Sequence, residues 1–157
     1  MVYPVARCEI AQNPRGISGR FFILQDSVYS AVVTAQVQGL SEGEHGIHVH
    51  ALPVVMGDCM TTGEHFNPSG ADHGGRESEE RHAGDLGNLN ADALGNSGDI
   101  MESQTIRLFG DETVVGRSIV IHAGEDDLGE GGDPESAANG NSGERIACCT
   151  ISLINSS

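Results

Sequence analysis

Apolar and polar residues alternate along this chain in short runs rather than at helical spacing. In "PVARCEI", Ala6, Cys8 and Ile10 share one face and Val5, Arg7 and Glu9 the other, the two-residue period of a half-buried strand. "GRFFILQ" and "YSAVVTAQVQG" follow, separated by the turn-like "QDS", and "HGIHVHAL" is a fourth candidate. "LGNLNAD", "SGDIMES", "TIRLFG", "GRSIVIHA" and "RIACCTISLI" complete the set of candidate strands. Two segments, 53–81 and 124–144, lack any period, and loops of that length in a compact domain normally carry function. There is no internal repeat and no amphipathic helix of useful length. Many short strands joined by glycine-rich turns predict an all-β fold, an antiparallel sandwich or barrel.

At 157 residues the chain is expected to form one domain, 1–157, around one core. Its 22 glycines and lack of tryptophan fit short strands and many turns. No stretch of about 18 apolar residues exists, so no membrane span is expected. "MVYPVARCEI" has no charged start followed by an apolar core and does not read as a secretory signal. The expected location is therefore cytoplasmic, or secreted if a signal peptide has been trimmed. The net charge is −15 and all eight basic residues are arginine, which argues against nucleic acid or an anionic membrane as partner. Four cysteines, Cys8, Cys59, Cys148 and Cys149, contain no Cys-x-x-Cys pair, so a thiolate zinc site is not expected. One long-range disulfide fits this count, and Cys8 reads as a buried small hydrophobe.

Three of the seven histidines fall within "HGIHVH". His48 and His50, two apart, project from the same face of a strand, where two imidazoles can hold one metal. Taken alone, the pair reads rather as two surface or hydrogen-bonded histidines. His45 lies an odd number of residues from both and is expected to support the turn. "EHFNPSGADHGGRESEERHAGDLG" then supplies His65, His73, His82 and Asp85 from a glycine-rich loop. Three imidazoles and one carboxylate make the closed tetrahedral set that zinc prefers. His122 ends the apolar run "SIVIH", where a strand meets the second long loop.

Taken in order, "HGIHVH", "CMTTGEHFNP", "DHGG", "ERHAGDLGN", "GRSIVIHAGEDDLGEGG" and "NGNSGERIAC" resemble the copper–zinc superoxide dismutase family over almost the whole chain. The resemblance implies an eight-stranded Greek-key β-barrel, an immunoglobulin-like sandwich, with two long functional loops. It implies a copper ion held by His48, His50, His65 and His122, and a zinc ion held by His65, His73, His82 and Asp85. His65 would bridge the two as an imidazolate, which two nearby cations make feasible at neutral pH. Imidazole suits both metals, and a four-nitrogen tetragonal set favours Cu(II). Asp126 matches the carboxylate that links a copper histidine to a zinc histidine, and Arg145 matches the anion-binding arginine. Cys59 and Cys148 match the family's disulfide, which closes a loop of about ninety residues and contributes up to ~4–5 kcal/mol in the chain-entropy model. Cys149, adjacent to Cys148, should face the other side of the strand. The implied activity is dismutation of the superoxide anion to oxygen and hydrogen peroxide, with His65 passing a proton. Two alternatives are a noncatalytic copper-binding or copper-delivery module on the same fold and a barrel stabilised by zinc alone.

The chain departs from the family pattern in two places. The segment "GEDDLGEGGDPESAANGNSGE" holds no basic residue, and the positions aligned with the family's lysines are Gly124 and Ala138. A commonly acidic position holds Pro134 and a rim threonine is replaced by Asn139, while Glu135 remains. Steering of an anion should then fall to Arg145. The outer face of the first strand carries Arg7 and Glu9 where the family's dimer contact is apolar, whereas "ALPVVMG" offers a substitute apolar surface. Monomer and homodimer both stay open.

Overall fold

A computed structural model describes residues 2–11 and 13–154. Among them are strands β1 (Val5–Ile10), β2 (Ser18–Gln25), β3 (Ala31–Gln38), β4 (Gly43–His50), β5 (Asp85–Ala91), β6 (Ile100–Ser103), β7 (Ser118–His122), β8 (Arg145–Thr150) and β9 (Ser152–Leu153). They form two antiparallel sheets, ordered β6-β3-β2-β1-β9 and β5-β4-β7-β8. The chain crosses between sheets from β3 to β4 and again from β5 to β6, so β3 pairs β6 and β4 pairs β7, a Greek-key arrangement. The expected all-β Greek-key sandwich is therefore the observed architecture. The last predicted strand, "RIACCTISLI", runs through both sheets: β8 pairs β7, Ile151 is buried at the crossing, and β9 pairs β1. Nine runs thus correspond to the eight strands expected.

Alternation decides which side chains enter the core. In β1, Ala6, Cys8 and Ile10 are buried and Arg7 and Glu9 exposed, as the sequence pattern predicts. Phe21 and Ile23 of β2, Ile47 and Val49 of β4, and Ile119 and Ile121 of β7 fill the same core. "TIRLFG" is not a strand. Ile106 and Leu108 alternate because both pack into the core, but their backbone N–H groups donate to Ser103 Oγ and Gln25 Oε1 instead of to a sheet partner. A short helix, α1 (Pro134–Asn139), lies in the second long loop, where no helix was expected. Its caps are local: Asp133 accepts from the Ser136 N–H, proline occupies the first turn, and Gly140 closes it in the left-handed conformation.

The four-stranded sheet is buried on both faces, which explains the density of "HGIHVH". Ile47 and Val49 point into the core, while His48 and His50 point outward and are covered by the two long loops. His45 faces the other way and donates from Nδ1 to the His122 carbonyl at 2.9 Å, the structural role expected of it.

All four cysteines are paired, which corrects the expectation of a single disulfide with Cys8 a lone hydrophobe. Cys59 joins Cys148, and Cys8 joins Cys149 with a Cα–Cα distance of 5.4 Å. Strand parity is the reason. The alternation that turns Cys149 away from Cys59 aims it through the core at Cys8, an inward position of β1. With Cys59–Cys148 closed, the second bridge still closes a loop of about fifty residues, worth about 4 kcal/mol in the chain-entropy model.

Candidate metal centre

The outer face of the β4–β7 pair holds three imidazoles in fixed orientations, because each has one ring nitrogen already committed. His50 donates from Nδ1 to the Gly63 carbonyl at 2.9 Å, and His122 from Nδ1 to the Gly143 carbonyl at 2.9 Å. His48 donates from Nε2 to Asp126 Oδ2 at 2.6 Å. A fourth ring arrives from the first long loop. Residues on either side of His65 pair with the end of β4, Ala51 N–H to the Glu64 carbonyl and Phe66 N–H to the Val49 carbonyl. Gly84 completes this layer, where a Cβ would stand 2.3 Å from the Val49 carbonyl oxygen, so only glycine fits.

The opposite nitrogens of these four rings are His48 Nδ1, His50 Nε2, His65 Nε2 and His122 Nε2. All four are buried and have no hydrogen-bond partner among the described residues. His48, His50, His65 and His122 each bring a donor atom to within 4.8 Å of the others. Four orphaned nitrogens converging in the interior are costly unless a cation receives their lone pairs. Such a set, all imidazole, fits copper. Burial foremost, with the neighbouring rings adding to it, holds the pKa of His48 well below its usual range. The same causes bring His50 to about 2 and His122 to about 4, so all three are neutral and ligand-ready at pH 7.

The second cluster is built around Asp85, at the start of β5. Its Oδ2 accepts the Gly74 and His82 backbone N–H groups at 3.0 and 2.8 Å. Its Oδ1 faces His73 Nδ1 at 2.9 Å, His65 Nδ1 at 3.2 Å and His82 Nδ1 at 3.4 Å. His65 Nδ1 and His82 Nδ1 are 3.1 Å apart. His48 also lies within reach of this group, but its Nε2 is bonded to Asp126 and its Nδ1 belongs to the first set. His82 therefore completes the three-imidazole, one-carboxylate set that suits zinc. His65 is the ring common to both clusters, Nδ1 toward one and Nε2 toward the other.

Asp126 joins the clusters from outside. Its Oδ2 accepts from His48 Nε2 and its Oδ1 from His73 Nε2 at 2.7 Å. Burial opposes charge on His73, but the carboxylates of Asp126 and Asp85 outweigh it and raise its pKa to about 9. Burial likewise opposes charge on Asp85, and the three histidine contacts overcome it, holding its pKa well below the usual carboxylate range. Asn88 was not anticipated: its Oδ1 accepts the Asp126 N–H at 2.7 Å and its Nδ2 donates to the Asp126 carbonyl at 3.0 Å. No sequence signal tied it to Asp126, since the partners are 38 residues apart. Gly140 is equally necessary, because a Cβ there would stand 2.1 Å from Asp126 Oδ1.

Above His50, His65 and His122 lies an open cavity of about 250 Å³, also lined by Arg145, Glu64 and Glu135. Arg145 Nη1 donates to Thr62 Oγ1 at 2.9 Å and to the Cys59 carbonyl at 3.2 Å. Larger cavities elsewhere touch no histidine. One guanidinium and two carboxylates therefore face this cavity. His48, His50, His65, His73, His82, His122, Asp85, Asp126 and Arg145 thus come together at the covered face of one sheet. The family model described as copper/zinc superoxide dismutase (SODC) matches residues 17–151, and the chain belongs to that family.

Proposed function

We propose that this member of a copper- and zinc-binding oxidoreductase family is a catalytic superoxide dismutase. The supporting observation is the set of four orphaned imidazole nitrogens opening onto a cavity that contains Arg145. Copper would be held by His48, His50, His65 and His122, and zinc by His65, His73, His82 and Asp85. When bound, copper supplies one-electron exchange and zinc a fixed positive charge beside it. Overall, two superoxide anions and two protons yield one oxygen and one hydrogen peroxide.

The protein's own contribution is geometric. Arg145 donates to the incoming anion through Nη2 and Nε, its Nη1 being occupied by Thr62 and Cys59. His65 Nε2 is the atom at which a proton is held and passed to the product, while Nδ1 stays in the second cluster. Burial lowers the His65 pKa, against the opposing pull of Asp85, so a proton received at Nε2 is readily released. Asp126 keeps His48 and His73 in the tautomers that leave their Nδ1 atoms facing inward.

The test is reconstitution with both metals, followed by copper EPR and pulse-radiolysis measurement of superoxide decay. A four-nitrogen copper signal with catalytic decay is expected. The same signal without decay would instead assign the chain to copper binding or delivery. Fewer than four nitrogens would overturn the ligand set itself.

A further inference from the structure

We infer that Thr62 is a positioning residue for Arg145, holding the guanidinium away from the carboxylates that share its cavity. The inference rests on the reading of Arg145 as the anion-binding group. Thr62 ends the 3-10 turn Cys59–Thr62 and is fully buried. Its hydroxyl sits between two groups: Oγ1 donates to the Cys59 carbonyl at 2.6 Å and accepts from Arg145 Nη1 at 2.9 Å. The polarity follows from chemistry. A guanidinium has donors only, so Thr62 must accept from it, and its single proton is left for Cys59. Arg145 Nη1 also reaches the Cys59 carbonyl, at 3.2 Å, closing a triangle of three groups.

The triangle matters because of its neighbours. Arg145 opens β8, and Cys59 is tied to β8 through Cys148, so both anchors of the guanidinium move with the strand that carries it. Glu64 and Glu135 line the same cavity of about 250 Å³. An arginine released from Thr62 keeps only the longer bond to Cys59. Its long, rotamer-rich side chain can then turn to a carboxylate, and the cavity loses its one cation to an internal ion pair. A lysine-lined entrance would tolerate that loss. In this chain, with no basic residue across 124–144, no side chain of that loop makes up for it.

The decisive comparison is Thr62→Val, Thr62→Ser and Arg145→Ala in the copper- and zinc-loaded protein. Azide affinity, read from copper visible absorption, serves as the anion probe beside the superoxide rate. Thr62→Val should weaken azide binding and the rate about tenfold, the loss of one hydrogen bond to a charged group, with the copper EPR spectrum unchanged. Thr62→Ser should restore both. Adding Glu64→Gln and Glu135→Gln to Thr62→Val should recover most of the azide affinity, because the competing ion pair is gone. Azide affinity unchanged in Thr62→Val but reduced in Arg145→Ala would overturn the role of Thr62. Unchanged azide affinity in Arg145→Ala would instead overturn the reading of Arg145. If Thr62→Val does not fold, side-chain ¹⁵N relaxation of Arg145 in the parent and Thr62→Ser decides. A rigid guanidinium supports the anchor, and a freely rotating one rejects it.

Discussion

The two halves of the metal centre share His65 yet treat charge in opposite ways. On the side of His48, His50 and His122, every ring has its outer nitrogen bonded and its inner nitrogen bare, and burial keeps the rings neutral. Among the described residues no group satisfies that set. On the side of His73, His82 and Asp85, carboxylates face imidazoles, His73 carries its proton up to about pH 9, and Asp85 stays ionised. That set can satisfy itself with a proton in place of an ion. One half is therefore prepared for a cation by leaving a hole in the hydrogen bonding, and the other by competition between metal and proton.

The largest expected effect would break this contrast outright. In the metal-free protein, Asp85→Asn should cost about 3–5 kcal/mol, because it takes from the buried His73 imidazolium one of its two carboxylates and from His65 and His82 their shared acceptor. His50→Leu should cost less, about 1–2 kcal/mol, since its bare Nε2 has no partner to lose and only the bond from Nδ1 to the Gly63 carbonyl goes. Urea unfolding of both variants checks this, and equal costs would mean the two halves are not distinct.

The next effect separates them by pH. Neutral His50 and His122 favour the folded state fully above the unfolded pKa of about 6.5. That contribution is lost as pH falls toward about 4, at about 1.4 kcal/mol per unit for each group. Asp85 adds to the loss at lower pH, below the usual carboxylate value. His73 acts in reverse, because its pKa is raised: its contribution is full below about 6.5 and is lost as pH rises through about 9. Melting of the metal-free protein across pH 4–10 should show both limbs, and Asp126→Asn should shorten the alkaline one.

Proton release on metal loading is a finer test. At pH 7 zinc alone should displace about one proton per chain from His73, and copper alone close to none. Both metals together should release about two, the second from His65. Calorimetry in buffers of different ionisation enthalpy counts them, and equal release by the two metals singly would refute the distinction.

The smallest effect concerns the entrance. Glu64→Gln should speed superoxide decay about twofold at low salt, since one charge at the screening length contributes of order 0.5 kcal/mol. The gain should shrink as ionic strength rises, and a rate that falls in Glu64→Gln would mean this carboxylate does not repel the substrate.

Much of this centre was legible in the residues themselves. His48 and His50 could be placed on one face because strand parity is local, and the second cluster was visible as a ligand set within one short segment. Where a partner came from far along the chain, parity gave a direction but not a destination. Cys149 was correctly turned away from Cys59, yet its pairing with Cys8 depends on β1 and β8 lying across a shared core. Asn88 and Thr62 carried no signal of their partners, because Asn88 acts through two hydrogen bonds to Asp126 and Thr62 through one to Arg145, both far along the chain. The helix α1 is the exception: Asp133, Pro134 and Gly140 are local caps, but six residues are too few to show a helical period.

By itself the sequence determined the all-β class, the inward face of each main strand and the kinds of donor available, because these depend on side-chain type and a period of two. Only the tertiary structure decided that four imidazole nitrogens would be left bare together and that Cys8 would find Cys149. It also decided that Arg145 would stand among carboxylates, held by Thr62. These are meetings between residues tens of positions apart, and no local preference encodes a distance until two sheets have packed and two loops have closed over them.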